Sequence, residues 1–153
     1  MKKEKKGFTL VELLAVITIL GILTMIAVPN VLSTINNNRK NAFLMDAKRM
    51  VSKASELIAQ NKSDREQAKK EEGKTYYYAD LNGKGEFTTD SDGQSYDTDE
   101  NNTYVNVKLE SNTYTYCIKV TGSKRNIKAS DGSCIDSSEL KGIEVVKDNK
   151  LEN

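Results

Sequence analysis

The sequence predicts an α+β protein in which one long N-terminal α-helix lays its second half against a small antiparallel β-sheet. Three observations carry this. From Phe8 to Val28 nearly every residue is apolar or small; from Val31 to about Asn61 apolar residues recur at three- and four-residue spacing; and from Lys74 onward the period shortens to two and Tyr, Thr and Val accumulate. With 153 residues and 17.1 kDa, the chain is long enough for one modest domain beyond its apolar start.

The N-terminal block sets the class. A helix of roughly 20 apolar residues reaches ~30 Å, the hydrocarbon thickness of a bilayer. A cleaved secretory signal would have a shorter apolar core ending in small residues, whereas this run continues through LTMIAVPN. A simple signal anchor explains the lysines before it, which keep the N-terminus cytoplasmic while the rest moves outward. It does not explain Glu12. A carboxylate inside a lipid-facing helix costs about 2.5 to 3.5 kcal/mol near the bilayer centre and less toward an end, so an acid in this position asks for a partner.

The rest of the chain is polar, close to neutral overall, and slightly acidic once MKKEKKG, with its four lysines and one glutamate, is set aside. It lacks histidine, so imidazole catalysis and histidine metal ligation are excluded. Bulk charge gives nucleic-acid binding no help, and K-R-N-I-K, residues 124 to 128, is the single weak candidate patch. Neither a nucleophile with a base, a phosphate loop nor a metal set is recognisable; catalysis and a cofactor are not expected.

K-G-F-T-L-V-E-L, residues 6 to 13, resembles the processing signature of type IV prepilins and the related pseudopilins: a basic leader, a glycine, an aromatic residue, a glutamate four residues later and an unbroken apolar helix. The likeness covers residues 1 to 35 in sequence and is architectural beyond. It implies removal of the leader, residues 1–7, by a prepilin peptidase between Gly7 and Phe8, N-methylation of the new Phe8 amino group, and Glu12 as fifth residue of the mature chain. Physical chemistry gives these residues work. Gly7 lets a peptidase approach the backbone closely. Cleavage places a cationic amino group beside the unpaired amides of a helix start, an end that favours an anion. In a filament Glu12 of one subunit would meet the Phe8 amino group of its neighbour, and a wrong axial register would leave both charges unpaired in an apolar bundle, at a cost of several kcal/mol. The pair is expected to set register more than to add stability.

Gly21 and Pro29 interrupt the helical run and mark the easiest place to bend; the resemblance implies that residues 21 to 29 loosen in assembled filaments, while a gentle kink is expected in the isolated subunit. The segments expected are therefore a membrane and filament-core helix over 8–29 and a head over 30–153. The head comprises an amphipathic helix to about 61, a connection over 62–74, and a sheet with a C-terminal loop over 75–153. Val31, Leu32, Ile35, Phe43, Ala47, Met50, Val51, Ala54, Leu57 and Ile58 form the helix's core stripe. A helix from Phe8 to Asn61 would be about 80 Å long, more than so small a domain can bury, so its first half is expected to project.

Ser63-Asp-Arg-Glu66 reads as a capping box for a short helix over 64–72 stopped by Gly73. T-Y-Y-Y-A-D-L reads as a strand and G-E-F-T-T as a weaker one. T-Y-V-N-V-K-L-E and T-Y-T-Y-C-I-K-V-T, separated by Ser111-Asn112, read as a hairpin with Val105, Val107 and Leu109 on one face and Tyr114, Tyr116, Ile118 and Val120 on the other strand's matching face. A last strand is expected through Ile143-Glu-Val-Val146.

Cys117 and Cys134 enclose a loop that the resemblance likens to the cysteine-bounded C-terminal loop of many pilins. After export a disulfide there would stabilise by about 3 kcal/mol in the chain-entropy treatment; two free thiols are the alternative. Asp80, Asn82, Asp90, Asp92, Asp97, Asp99 and Glu100 crowd two loops. D-L-N-G-K-G-E-F resembles a calcium loop except that Lys84 stands where an oxygen ligand is needed. Asp90, Asp92 and Asp97 remain weak calcium candidates against the plainer reading of solvated turns.

Together these readings imply a major structural subunit of type IV pili serving adhesion, motility or biofilm formation. The alternative is a minor pilin or a pseudopilin of a secretion or DNA-uptake apparatus. Expected partners are other copies in a helical filament, a prepilin peptidase, the cytoplasmic membrane with its pilus assembly platform, and minor pilins, with no specific nucleic acid. The chain is expected to cross the cytoplasmic membrane once before assembly and to lie in an extracellular pilus afterwards.

Overall fold

A computed structural model describes residues 7–141 and 146–147, with residues 141, 146 and 147 described by their backbone. Helix α1 runs unbroken from Leu10 to Gln60, through both Gly21 and Pro29. The chain divides into two compact units between Asn38 and Arg39. α1 belongs to both, and the burial of its side chains changes across that boundary.

In the first unit the large apolar residues from Phe8 to Ile35 are all exposed. Val31, Leu32 and Ile35, expected in the core, are among them. In the second unit Phe43, Ala47, Met50, Ala54 and Ile58 are buried, a stripe with the four- and three-residue steps of one helix face. Removing each large side chain of that stripe from water contributes about 1.5 to 3 kcal/mol.

Helix α2, Lys62–Ala68, follows at once. Its cap is not Ser63, as the motif suggested, but Asn61, whose side-chain oxygen accepts a hydrogen bond from the Ser63 amide at 3.0 Å. The helix also ends earlier than expected, and Gly73 serves a different purpose. It lies past the helix with φ +73°, and a Cβ there would come within 2.7 Å of the Val107 carbonyl oxygen and of the Lys108 side chain. Only glycine lets the chain enter the sheet this close to β2.

The strands are β1 (Lys74–Tyr77), β2 (Tyr104–Glu110), β3 (Thr113–Thr121), β4 (Arg125–Ile127), β5 (Ile135–Asp136) and β6 (Val146–Lys147). Among the described residues they pair antiparallel in the order β1-β2-β3-β4-β6, with β5 also on β3. The β2–β3 hairpin forms as expected. Ser111 and Asn112 both take positive φ, 48° and 68°, the two-residue turn whose twist suits a hairpin. Val105 lies opposite Ile118 and Val107 opposite Tyr116. These inward residues meet the α1 stripe, with Tyr76, Leu81, Phe87, Tyr96, Val120, Ile127, Ile135 and Leu140, in one core. The expected last strand is present at Val146; residues 143–145 lie outside the described residues.

Two expectations fail between β1 and β2. T-Y-Y-Y-A-D-L stays a strand only to Tyr77 and then turns into the one-turn helix α3, Tyr78–Leu81, because the Asp80 carboxylate accepts the Tyr77 amide at 3.0 Å. G-E-F-T-T is not a strand. Phe87 is buried, but its amide donates to Asn82 Oδ1 and its carbonyl accepts the Tyr78 hydroxyl, so side chains satisfy the backbone that a ladder would have paired.

Candidate functional site

Gly7, Phe8 and Thr9 precede the first helical residue, Leu10. Space around Gly7 is open, with no atom within 4 Å of where a Cβ would sit, and Phe8 is 88% exposed. Among the described residues no side chain crowds Gly7.

Glu12 takes part in an arrangement that the motif reading overlooked. The Thr9 amide donates to Glu12 Oε2 at 2.8 Å and the Thr9 hydroxyl donates to the same oxygen at 2.9 Å, while the Glu12 amide reaches back to Thr9 Oγ1 at 3.3 Å. This is a reciprocal capping box: the first turn of an apolar helix, with amides that lipid cannot satisfy, supplies its own acceptor. Both side-chain bonds fall on Oε2. Among the described residues no donor reaches Oε1, so the carboxylate can cap its own helix and still accept from outside. The signal was legible, since Thr9-x-x-Glu12 ahead of an apolar run is the capping-box pattern.

Farther along, Thr18, Thr24 and Thr34 donate their hydroxyls to the carbonyls four residues earlier, at Leu14, Leu20 and Asn30. A polar side chain that bonds its own helix needs no water. The helix Leu10–Gln60 is long and apolar enough to cross a membrane by length and composition.

The remaining candidates lie in the second unit. Cys117 of β3 and Cys134, just before β5, form a disulfide with Cα atoms 5.4 Å apart, closing the segment that carries β4 onto the sheet.

Asp90, Asp92 and Asp97 are not brought together as a cation site. The Asp90 carboxylate accepts the Ser123 amide and hydroxyl, each at 2.7 Å, and the amides of Asp92 and Gln94. Burial pushes its carboxyl upward, but the bonds from Ser123, Gln94 and Asp92 outweigh this and hold it below the usual aspartate range. Asp92 is buried against Arg125, which donates from Nε at 2.8 Å and from a second nitrogen at 3.3 Å, and Arg39 of α1 donates to it at 3.3 Å. Asp97 accepts from the Asp99 amide and the Asn102 side chain. These oxygens accept hydrogen bonds that organise a long irregular loop, and no group of three or more metal-ligating side chains that could hold an ion occurs among the described residues. Distant partners such as Arg125 leave no local pattern in the sequence. Within K-R-N-I-K, Arg125, Asn126 and Ile127 are buried in β4, which leaves Lys124 and Lys128 as its exposed cations.

Residues 2–28 match the family model described as the prokaryotic N-terminal methylation motif, the type IV prepilin-like signal. No curated protein and no solved structure matches the chain. The motif, with a long N-terminal helix followed by a small antiparallel sheet, supports the pilin and pseudopilin class. It implies processing by a prepilin peptidase and assembly into pilus-like filaments, and it points to a structural role rather than to catalysis. The apolar helix fits the membrane anchoring of prepilins.

Proposed function

We propose that this chain, which carries a type IV prepilin signal, is the major subunit of a surface pilus. It enters the membrane as a precursor, is cut between Gly7 and Phe8, is methylated on Phe8, and polymerises through its N-terminal helix into a filament for adhesion, motility or biofilm formation. The observation that carries this reading is the union of the signal, in register, with a helix whose large apolar side chains in the first unit are all exposed among the described residues. From Phe8 to Ile35 the large apolar side chains are between 42% and 88% exposed, which is untenable in water and natural in lipid or among copies of the same helix.

Glu12 supplies the register. In the monomer its Oε2 closes the cap with Thr9, and Oε1 is the acceptor for the amino group of Phe8 on a neighbouring subunit. A one-turn slip would strand a cation and an anion in an apolar bundle, so the correct register is selected by the cost of the wrong ones. Repetition of one surface on a different surface of the next copy builds an open helix when the rotation between copies does not close into a ring. Gly21 and Pro29 are the positions at which α1 would yield as subunits pack, since glycine and proline weaken the helix there.

The experiment is the Glu12→Ala variant expressed beside the unaltered chain. Cleavage after Gly7 proceeds in both, and sheared surface filaments are recovered from the unaltered chain only. Normal filaments from Glu12→Ala would refute the register role. Cleaved chains present at trace level within filaments built of another subunit would make this a minor pilin.

A further inference from the structure

The sheet face turned away from the core carries a groove of about 480 Å³, and we infer that it binds a neutral oligosaccharide on a platform made by Tyr77 and Tyr104. Tyr77 lies directly opposite Tyr104, and Tyr104 directly opposite Lys119, so the three residues form one row across β1, β2 and β3. At the usual strand spacing that row spans about 10 Å, the length of about two linked sugar rings.

The hydroxyls separate these tyrosines from most others. Tyr76, Tyr78, Tyr96 and Tyr116 each donate theirs to a protein acceptor: Asp64, the Phe87 carbonyl, Asp46 and Ser55. Among the described residues the hydroxyls of Tyr77 and Tyr104 have no hydrogen-bond partner, and both side chains line the groove. An aromatic face beside an unused phenol suits a pyranose. The sugar's apolar C–H face, slightly positive, packs on the negative ring face while its rim hydroxyls take polar bonds. Asn101, with an amide on the groove wall, can both donate and accept along that rim.

Charge decides against ionic ligands. The lining holds Glu72 and Glu100 against Lys108 and Lys119, two of each sign, so the groove has no net field to select a polyanion or a polycation. It contains no aliphatic lining residue to anchor an apolar peptide either. Its walls are ordered in advance. Cys134 is tied to Cys117 by the disulfide, and the loop at Glu100 and Asn101 is held by bonds from the Asp99 amide to Asp97 and from the Asn101 amide to Asp99. A preformed site loses less freedom on binding.

The inference concerns the second unit alone and stands whether or not the chain polymerises. Full-length protein in a detergent without a sugar headgroup is titrated with chitotriose, cellotriose, maltotriose and mannotriose, following tyrosine fluorescence in a chain that has no tryptophan. At least one trisaccharide binds. Tyr77→Ala and Tyr104→Ala each weaken it at least tenfold, Tyr104→Phe by less, and Lys69→Ala, away from the groove, leaves it unchanged; circular dichroism verifies that each variant is folded. If Tyr104→Ala fails to fold, Tyr77→Ala and Asn101→Ala carry the comparison. The proposal is overturned if no trisaccharide binds, if binding survives in the folded tyrosine variants, or if Lys119-dependent capture of a charged polymer replaces it. Protection of Tyr77 and Tyr104 from hydroxyl radicals in assembled filaments would also overturn it, since the groove would then be a contact between copies.

Discussion

One helix passes through two environments, and the contrast between them explains the division of labour along the chain. Up to Asn38 the large apolar side chains of α1 are exposed among the described residues, and polar groups close their bonds within the helix itself: Thr9 with Glu12, Thr18 with Leu14, Thr24 with Leu20. From Phe43 on, the same helix turns a narrow stripe into a core whose members are buried to within a few per cent. Stability of the second region is set inside the chain. That of the first depends on what surrounds it, so substitutions in the two regions should separate cleanly in their effects.

The sharpest separation is expected from Glu12→Ala, which removes filaments altogether while leaving the thermal unfolding of the second unit unmoved; a lowered melting midpoint in that variant would break the contrast. Phe43→Ala does the reverse. Emptying a fully buried aromatic site costs about 3 to 5 kcal/mol, read by denaturant unfolding, with cleavage after Gly7 unaffected. Replacing Cys117 and Cys134 by Ser releases a loop with a sequence separation of 17 and lowers stability by about 3 kcal/mol in the same measurement. Gly122→Ala follows at about 1 to 3 kcal/mol, because the added Cβ falls 2.7 Å from the Phe43 ring and 2.8 Å from Asp90 Oδ2, two buried groups with little room to shift.

The smallest effect is one of pH. Because Asp90 has its pKa depressed on folding, its contribution is fully present above the unfolded aspartate value, about 4, and is lost as pH falls through the lower folded value. Asp90→Asn should therefore flatten the decline of stability below that pH. An unchanged acid limb would place the acid sensitivity elsewhere than at Asp90.

The contrast also governs how much could be read beforehand. Where side-chain periodicity and local motifs decide the structure, as in the apolar run, the Phe43 to Ile58 stripe and the Ser111-Asn112 hairpin, the expectations hold. They fail where a local pattern competes with a neighbour. Ser63 has the composition of a cap, yet Asn61 sits one residue before the helix and takes the role. Phe87 looked like part of a strand, yet Asn82 and Tyr78 intercept its backbone. Asp90 and Asp92 left a weak ion-ligand reading open beside that of solvated turns, because their hydrogen-bond partners Ser123 and Arg125 are more than thirty residues away in sequence. At the N-terminus the reverse occurred. The Thr9–Glu12 cap follows a local three-residue spacing that is plain in the sequence, and it coexists with the external role expected of Glu12.

The most direct test is mass spectrometry of sheared surface filaments with the N-terminus of this chain read in full. The account predicts an abundant species that begins at Phe8 with a methylated amino group and has lost residues 1–7. Chains that still begin at Met1 and are found only dispersed in the membrane, never in a filament, would contradict it.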